Sequence, residues 1–217
     1  NESGIMGEAN PLFDIRKFSA SKLNTLRVET FEQYSSLEKE YIGEYESSSA
    51  TQNFLNAVAN YPLLKGQQTN LYKCFLPVGW KIANHKGVSG YLHPENVYDD
   101  PKGGTIRREI YKRLKYHFQY INELTLFAEV DHHLKYSSNI FSNANKEVDF
   151  KTVANLFIPQ TIDTSFTHLG DEVVGGIKDD DNKWNIKGHN NRIIHIDKEI
   201  LGLFANLYDE EGTHYLE

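Results

Sequence analysis

The stretch from Asn70 to Pro94 constrains the fold most. Leu71, Cys74, Phe75, Val78 and Ile82 recur on one side of a helix that the pattern predicts over Asn70 to Asn84. Pro77 sits in its middle, removes one backbone donor and predicts a kink or a split. Gly87 then closes a turn. Val88-Ser89-Gly90-Tyr91-Leu92 is short and apolar enough for a buried strand, which stops at His93-Pro94. A helix handing over to a buried strand is the beat of an α/β domain.

The flanking sequence divides into three regions, at 1–60, 61–142 and 143–217. Residues 14–60 read as helical, since Leu23, Leu26, Phe31, Tyr34, Leu37, Tyr41 and Tyr45 recur near the helical period. Glu29, Glu32, Glu38, Glu40, Glu44 and Glu46 fill a solvated acidic face. Ser47-Ser48-Ser49 reads as a break, followed by a second helix from Ala50 to Asn60 that ends before Pro62. A helix over Thr105 to Tyr116 carries Ile106, Ile110 and Leu114 as its apolar stripe. Two strands follow, His117 to Leu126 and Leu134 to Ser142. The last region reads as an α+β tail or a bridge to a following domain. It comprises a short helix from Asp149 through Phe157, a loop from Pro159, and a hairpin pairing Val173–Lys178 with Trp184–Lys187. A strand at Ile193–Ile196 and a helix at Lys198–Tyr208 complete it.

Composition removes several classes. One cysteine in 217 residues, Cys74, excludes an internal disulfide framework and a multi-cysteine zinc site. No window reaches the roughly 18 apolar residues of a membrane span, and no signal-peptide pattern opens the chain. A cytoplasmic protein with no membrane partner is expected. The chain begins at Asn1 rather than methionine and stops at His214-Tyr215-Leu216-Glu217 without a cap. Both ends are expected to be boundaries within a longer polypeptide.

Several groups could carry chemistry. Lys102, Arg107, Arg108, Lys112, Arg113 and Lys115 face the single acid Glu109 between positions 102 and 117, in a chain whose formal net charge is −7. Such a cluster suits phosphate contacts through counterion release; a solvated amphipathic helix is the structural alternative. Asp131-His132-His133 suggests a metal, but neighbours on a strand or helix point apart, so a chelating spacing is lacking and no metal is assigned. Asp179-Asp180-Asp181-Asn182 lacks the glycine and glutamate of a calcium loop and reads as a turn. Asp100-Pro101-Lys102 and Asp149-Phe150-Lys151 each have the D-x-K form of magnesium-dependent nucleases, without the preceding acidic residue. No glycine-rich phosphate loop and no G-x-S-x-G motif occurs.

Five ordered runs carry a resemblance. They are Asn60-Tyr61-Pro62-Leu63-Leu64, Asn70-Leu71-Tyr72-Lys73-Cys74-Phe75, Gly90-Tyr91-Leu92-His93-Pro94-Glu95, Tyr98-Asp99-Asp100-Pro101-Lys102-Gly103-Gly104 and Phe118-Gln119-Tyr120-Ile121-Asn122-Glu123-Leu124. Together they resemble the latter half of the methyltransferase region in large bacterial N6-adenine DNA methyltransferases of the fused restriction–modification or phage-defence type. Amino-methylating enzymes carry, after their catalytic loop, a helix, a strand ending in proline, a helix starting "LR"-like (here Ile106-Arg107) and two closing strands.

The resemblance implies the C-terminal part of a Rossmann-like α/β sheet, with an N-terminal helical segment and a small α+β tail. It also implies a target-base pocket bordered by Phe141 or Tyr136 and by His93-Pro94. The family's Asn/Asp-Pro-Pro-aromatic loop has only a chance near-match in Asn10-Pro11-Leu12-Phe13, and the glycine-rich S-adenosylmethionine loop is missing. The expectation is therefore a piece that holds no S-adenosylmethionine by itself and is inactive alone. Its partners are DNA and the remainder of the methyltransferase polypeptide, with self-association through an exposed strand edge. A non-catalytic DNA-binding or scaffolding module and a magnesium nuclease are the alternatives.

Overall fold

The computed structural model describes residues 2–67 and 70–216, so the terminal Asn1 and Glu217 lie outside the described residues. The chain forms two compact units, residues 1–60 and 61–217.

The first unit is helical: α1 (Glu2–Ala9), α2 (Leu12–Ile15), α3 (Ala20–Gln33) and α4 (Leu37–Asn56). Its core is Met6, Phe13 and Leu37, against which Leu23, Leu26, Phe31 and Tyr41 pack. The Ser19 hydroxyl accepts the Lys22 amide and starts α3. The helix break falls at residues 34–36, where Leu37 must turn inward, and not at Ser47-Ser48-Ser49, which lie within α4. Asn10 holds the turn between α1 and α2: its Oδ1 accepts the Leu12 amide and its Nδ2 donates to Thr30 Oγ1. The acidic residues of α3 and α4 are exposed, as the charge pattern predicts.

The second unit has a mixed α/β fold around a five-stranded mixed sheet, consistent with a methyltransferase-like α/β arrangement. In chain order come α5 (Leu71–Ile82), β1 (Ser89–Pro94), α6 (Asn96–Asp99), α7 (Gly104–Arg113), β2 (Leu114–Ile121), β3 (Lys135–Phe141), β4 (Asp149–Leu156), α8 (Gln160–Thr167), β5 (Ile194–Asp197) and α9 (Lys198–Tyr208). The sheet order is β1-β3-β2-β4-β5. Strand β3 runs antiparallel to both β1 and β2; β4 is parallel to β2, and β5 is antiparallel to β4. Pro94 ends the edge strand β1, where a missing ladder donor costs least. Pro77 remains inside an unsplit α5.

Residues 143–217 contribute β4 and β5 to this same sheet. The segment from Asp149, expected as a short helix, is the strand β4. Phe150, Val153 and Leu156 are buried at a spacing of three, which imitates a helix. Phe150 and Val153 are buried on opposite faces of a regular stretch, and a bulge accounts for the second interval: Phe118 pairs with Val153, but Tyr120 pairs with Leu156. Asn155 takes up the extra residue with φ +53°, a conformation Asn tolerates. The bulge frees the carbonyls of Ala154 and Asn155, and Arg192 Nη2 donates to them at 3.4 and 3.0 Å. The expected hairpin at 173–187 reduces to one bridge between Lys178 and Trp184, and α8 replaces the loop expected after Pro159.

Loss of the Arg192 guanidinium would strip the bulge of its donor. Arg192→Ala should lower the stability of the second unit by about 2 kcal/mol, the range for bonds to charged groups. Urea unfolding followed by tryptophan fluorescence checks this, because both tryptophans, Trp80 and Trp184, lie in that unit.

Candidate functional site

Alternation along the strands sends odd-numbered residues of β2 and β3 to one sheet face and even-numbered ones to the other. Two different surfaces result.

On the first face a row of polar side chains crosses four strands. His93 stands opposite Ser137, Gln119 opposite Ser137, His117 opposite Asn139, and Thr152 opposite His117. His93 Nδ1 lies 2.8 Å from the Pro94 carbonyl, which can only accept, so Nδ1 carries the proton. Its Nε2 then accepts from Asn139 Nδ2 at 3.0 Å. Asn139 Oδ1 accepts the Tyr98 hydroxyl at 2.6 Å, and its Nδ2 also reaches Ser137 Oγ at 2.7 Å. Glu95 is bound by His117 Nε2 at 3.0 Å and Gln119 Nε2 at 2.9 Å, while His117 Nδ1 meets Thr152 Oγ1 at 2.9 Å. Tyr72 of α5 stacks on the His93 ring, with centroids 5.1 Å apart.

The charges follow from these partners. Burial disfavours a charged His93 and lowers its pKa against the pull of the Pro94 carbonyl and Glu95. Burial alone would raise Glu95, but hydrogen bonds from His117, Ser137 and Gln119 outweigh it and hold the carboxyl below its ordinary value. Tyr98, half-buried and close to Glu95, has its pKa pushed up by burial first and by Glu95 next, and stays a neutral donor.

On the second face, at the carboxyl end of β1, lies an apolar slot of about 260 Å³. Leu92, His93, Pro94, Phe127, Val130 and Tyr136 line it. Pro94 and Tyr136 are register partners. The Tyr136 ring stacks on Tyr120 at 5.3 Å with planes 6° apart, and meets the Phe127 ring edge-on. Its hydroxyl is buried with no hydrogen-bond partner among the described residues, and burial raises its pKa.

Of the four residues expected around a target base, Pro94 and Tyr136 meet at this slot, and His93 borders it while its ring is held in the polar row of the first face. Phe141 does not. It sits five positions further along β3 and so on the opposite face, buried between Trp80 and Tyr91. Of the six basic residues, Lys102 is exposed, Arg107 is buried, and Arg108, Lys112, Arg113 and Lys115 are half-buried. Arg107 donates to the Asp100 carbonyl. Glu109 pairs with both Lys112, at 3.4 Å, and Arg113, which also lies over the Trp80 ring.

The other motifs are absorbed locally. Asp100 pairs with the buried Lys73 at 2.7 Å and accepts the Lys102 amide. Asp149 pairs with His195 at 2.7 Å, and Lys151 lies over the Phe166 ring. Cys74 is buried, which raises its thiol pKa. Glu95, His117, Asn139 and Tyr98 were missed by motif reading. Their signal was polar residues at alternate positions, His117 and Gln119 on β2, Ser137 and Asn139 on β3.

A protonated His93 would turn a second N–H toward the Asn139 amide, so folding favours the neutral ring. With a folded pKa below the ordinary 6.5, its stabilisation is complete above that value and is lost as pH falls through the folded pKa. The urea midpoint should drop between pH 7.5 and 5.5, and the drop should shrink in His93→Gln. Glu95 adds a further loss below pH 4.5, as its depressed carboxyl takes up a proton.

No family model and no curated protein sequence matches the chain. Among solved structures it is similar to the type IIG restriction endonuclease BpuSI, with 12% identity and a TM-score of 0.38. The match covers 68% of this chain and spans only 18% of that one.

Proposed function

We propose that the chain is the base-facing half of an S-adenosylmethionine-dependent N6-adenine DNA methyltransferase of the restriction–modification or phage-defence type. The reading rests on one observation above all. Pro94 and Tyr136 close an apolar slot at the carboxyl end of β1, and the buried Tyr136 hydroxyl has no hydrogen-bond partner among the described residues. Ligands in open α/β sheets bind at that end. The five sequence runs and the order helix, β1, helix, β2, β3 support the same reading.

A flipped adenine is flat, apolar on its faces and polar along one edge, as such a slot requires. Phe127 and Pro94 would cover its faces, and the Tyr136 hydroxyl would meet a ring nitrogen or the exocyclic amine. S-adenosylmethionine does not fit these residues. The slot is smaller than the roughly 300–1,000 Å³ of drug-sized sites, and its apolar lining offers nothing for a ribose. The donor loop and the amine-gripping tetrapeptide belong to polypeptide beyond these 217 residues, so the chain alone transfers no methyl group. Among the described residues β1 has β3 as its one strand neighbour, and its other edge is where the remaining sheet, or a second copy in its absence, would pair. Lys102 and the half-buried Arg108 and Lys115 are the phosphate contacts of this reading.

Fluorescence anisotropy with a duplex bearing one unpaired adenine tests it. Tyr136→Phe should weaken that complex about fivefold, the value of one hydrogen bond, and leave a fully paired duplex unaffected. The variant should fold at least as stably, because it removes a buried unpaired hydroxyl. Methyl transfer to DNA by the unassisted chain, or equal binding of both duplexes in wild type, would refute the assignment.

A further inference from the structure

The loop joining β2 to β3 is organised by one side chain. Asn122, wholly buried, donates through Nδ2 to the carbonyls of Phe127 and Val130, each at 2.9 Å, and accepts the Phe127 amide at 3.1 Å. Asp131 Oδ1 accepts the His133 amide at 2.8 Å and turns the chain back toward β3. This path brings Glu123, the neighbour of Asn122, to His132 and His133. The Glu123 Oε1 and His133 Nδ1 atoms are 3.2 Å apart, and the two imidazole centroids are 3.8 Å apart. One donor atom from each of the three residues lies within 4.8 Å of the others. The objection that adjacent histidines diverge holds for a strand or a helix, and these two lie on neither.

We propose that Glu123, His132 and His133 form a zinc site. Two imidazoles and a carboxylate are borderline donors that suit zinc and disfavour magnesium or calcium, which prefer all-oxygen sets. A tetrahedral ion holding its ligands at about 2.1 Å sets neighbouring donors about 3.4 Å apart. The separations here therefore close by at most about 1.4 Å. The Glu123 side chain is 15% exposed, whereas that of His133 is 71% exposed and can swing. Asp131 is not a ligand; its carboxylate is engaged in the turn. Three protein ligands leave at least one position for water. The ion clips the segment whose Phe127 and Val130 wall the apolar slot. The site stands independently of what that slot binds.

Calorimetric titration of zinc into the 217-residue chain at pH 7.5 tests this. One ion per chain is expected, removable by a chelator. His132→Ala and Glu123→Gln should each weaken binding at least tenfold without changing the circular dichroism, since the ligands lie on a loop. His168→Ala, which breaks the separate His168–His189 ring contact, should leave binding intact. Affinity should fall at pH 5.5 as protons compete for the imidazoles. A flat titration, meaning a His133–Glu123 ion pair only, overturns the site. So does binding that survives in His132→Ala or disappears in His168→Ala.

Discussion

A carboxylate and two imidazoles buried on one face of a sheet are tolerable only when each polar atom has a partner. The effective penalty for an ion moved out of water is several kcal/mol after relaxation. Glu95 escapes it by drawing donors from three separate strand positions, His117 and Gln119 on β2 and Ser137 on β3. Those donors exist at the right places only in one register. A slip of one residue in β3 would turn Ser138 and Ile140 toward Glu95 and His93, and send Ser137 and Asn139 to the other face. The row therefore specifies strand pairing more than it adds stability, because an apolar row of equal volume could serve the core as well.

The same register positions the slot. Tyr136 and Ser137 are consecutive, so fixing Ser137 beneath Glu95 fixes the Tyr136 ring on the opposite face against Tyr120. Polar specification on one side and aromatic stacking on the other are mechanically one strand. This explains how a hydroxyl can be left buried and unpaired at Tyr136: the surrounding bonds over-determine the strand, which tolerates the roughly 1–3 kcal/mol cost of that group.

Parts of this were legible in the sequence because one rule dominated locally. The Lys198–Tyr208 helix is amphipathic and capped by Asp197, whose carboxylate accepts the Ile200 amide. The strand before Pro94 is bounded by Gly87 and a proline. Strand β4 was not legible, because it buries Phe150 on one face and Val153 on the other, and its bulge at Asn155 then repeats the spacing of three at Leu156. The slot was half legible: Tyr136 and Phe141 are both aromatic, and both were candidates from the resemblance. Their odd separation already placed them on opposite faces, since strand periodicity is two. The walls from Phe127 and Val130 depend on Asn122 bonds that no local pattern announces.

At α7 a count of charges says less than the faces the helix presents. Six cations against one acid suggest a continuous phosphate-binding face, yet a count treats every cation as outward. The helix buries Ile106 and Ile110, and the 100° step per residue carries Arg107 inward with them. One carboxylate, Glu109, serves both its i+3 and i+4 neighbours, Lys112 and Arg113, as spacing on a helix allows. What remains for a nucleic acid is fewer charges than the composition offers, in a chain of net charge −7. In the proposed complex with DNA, long-range attraction is therefore weak, and binding would have to draw on close contacts. Counterion release scales with the phosphates neutralised, so in the proposed complex the salt dependence of binding would measure how many of those six cations reach DNA.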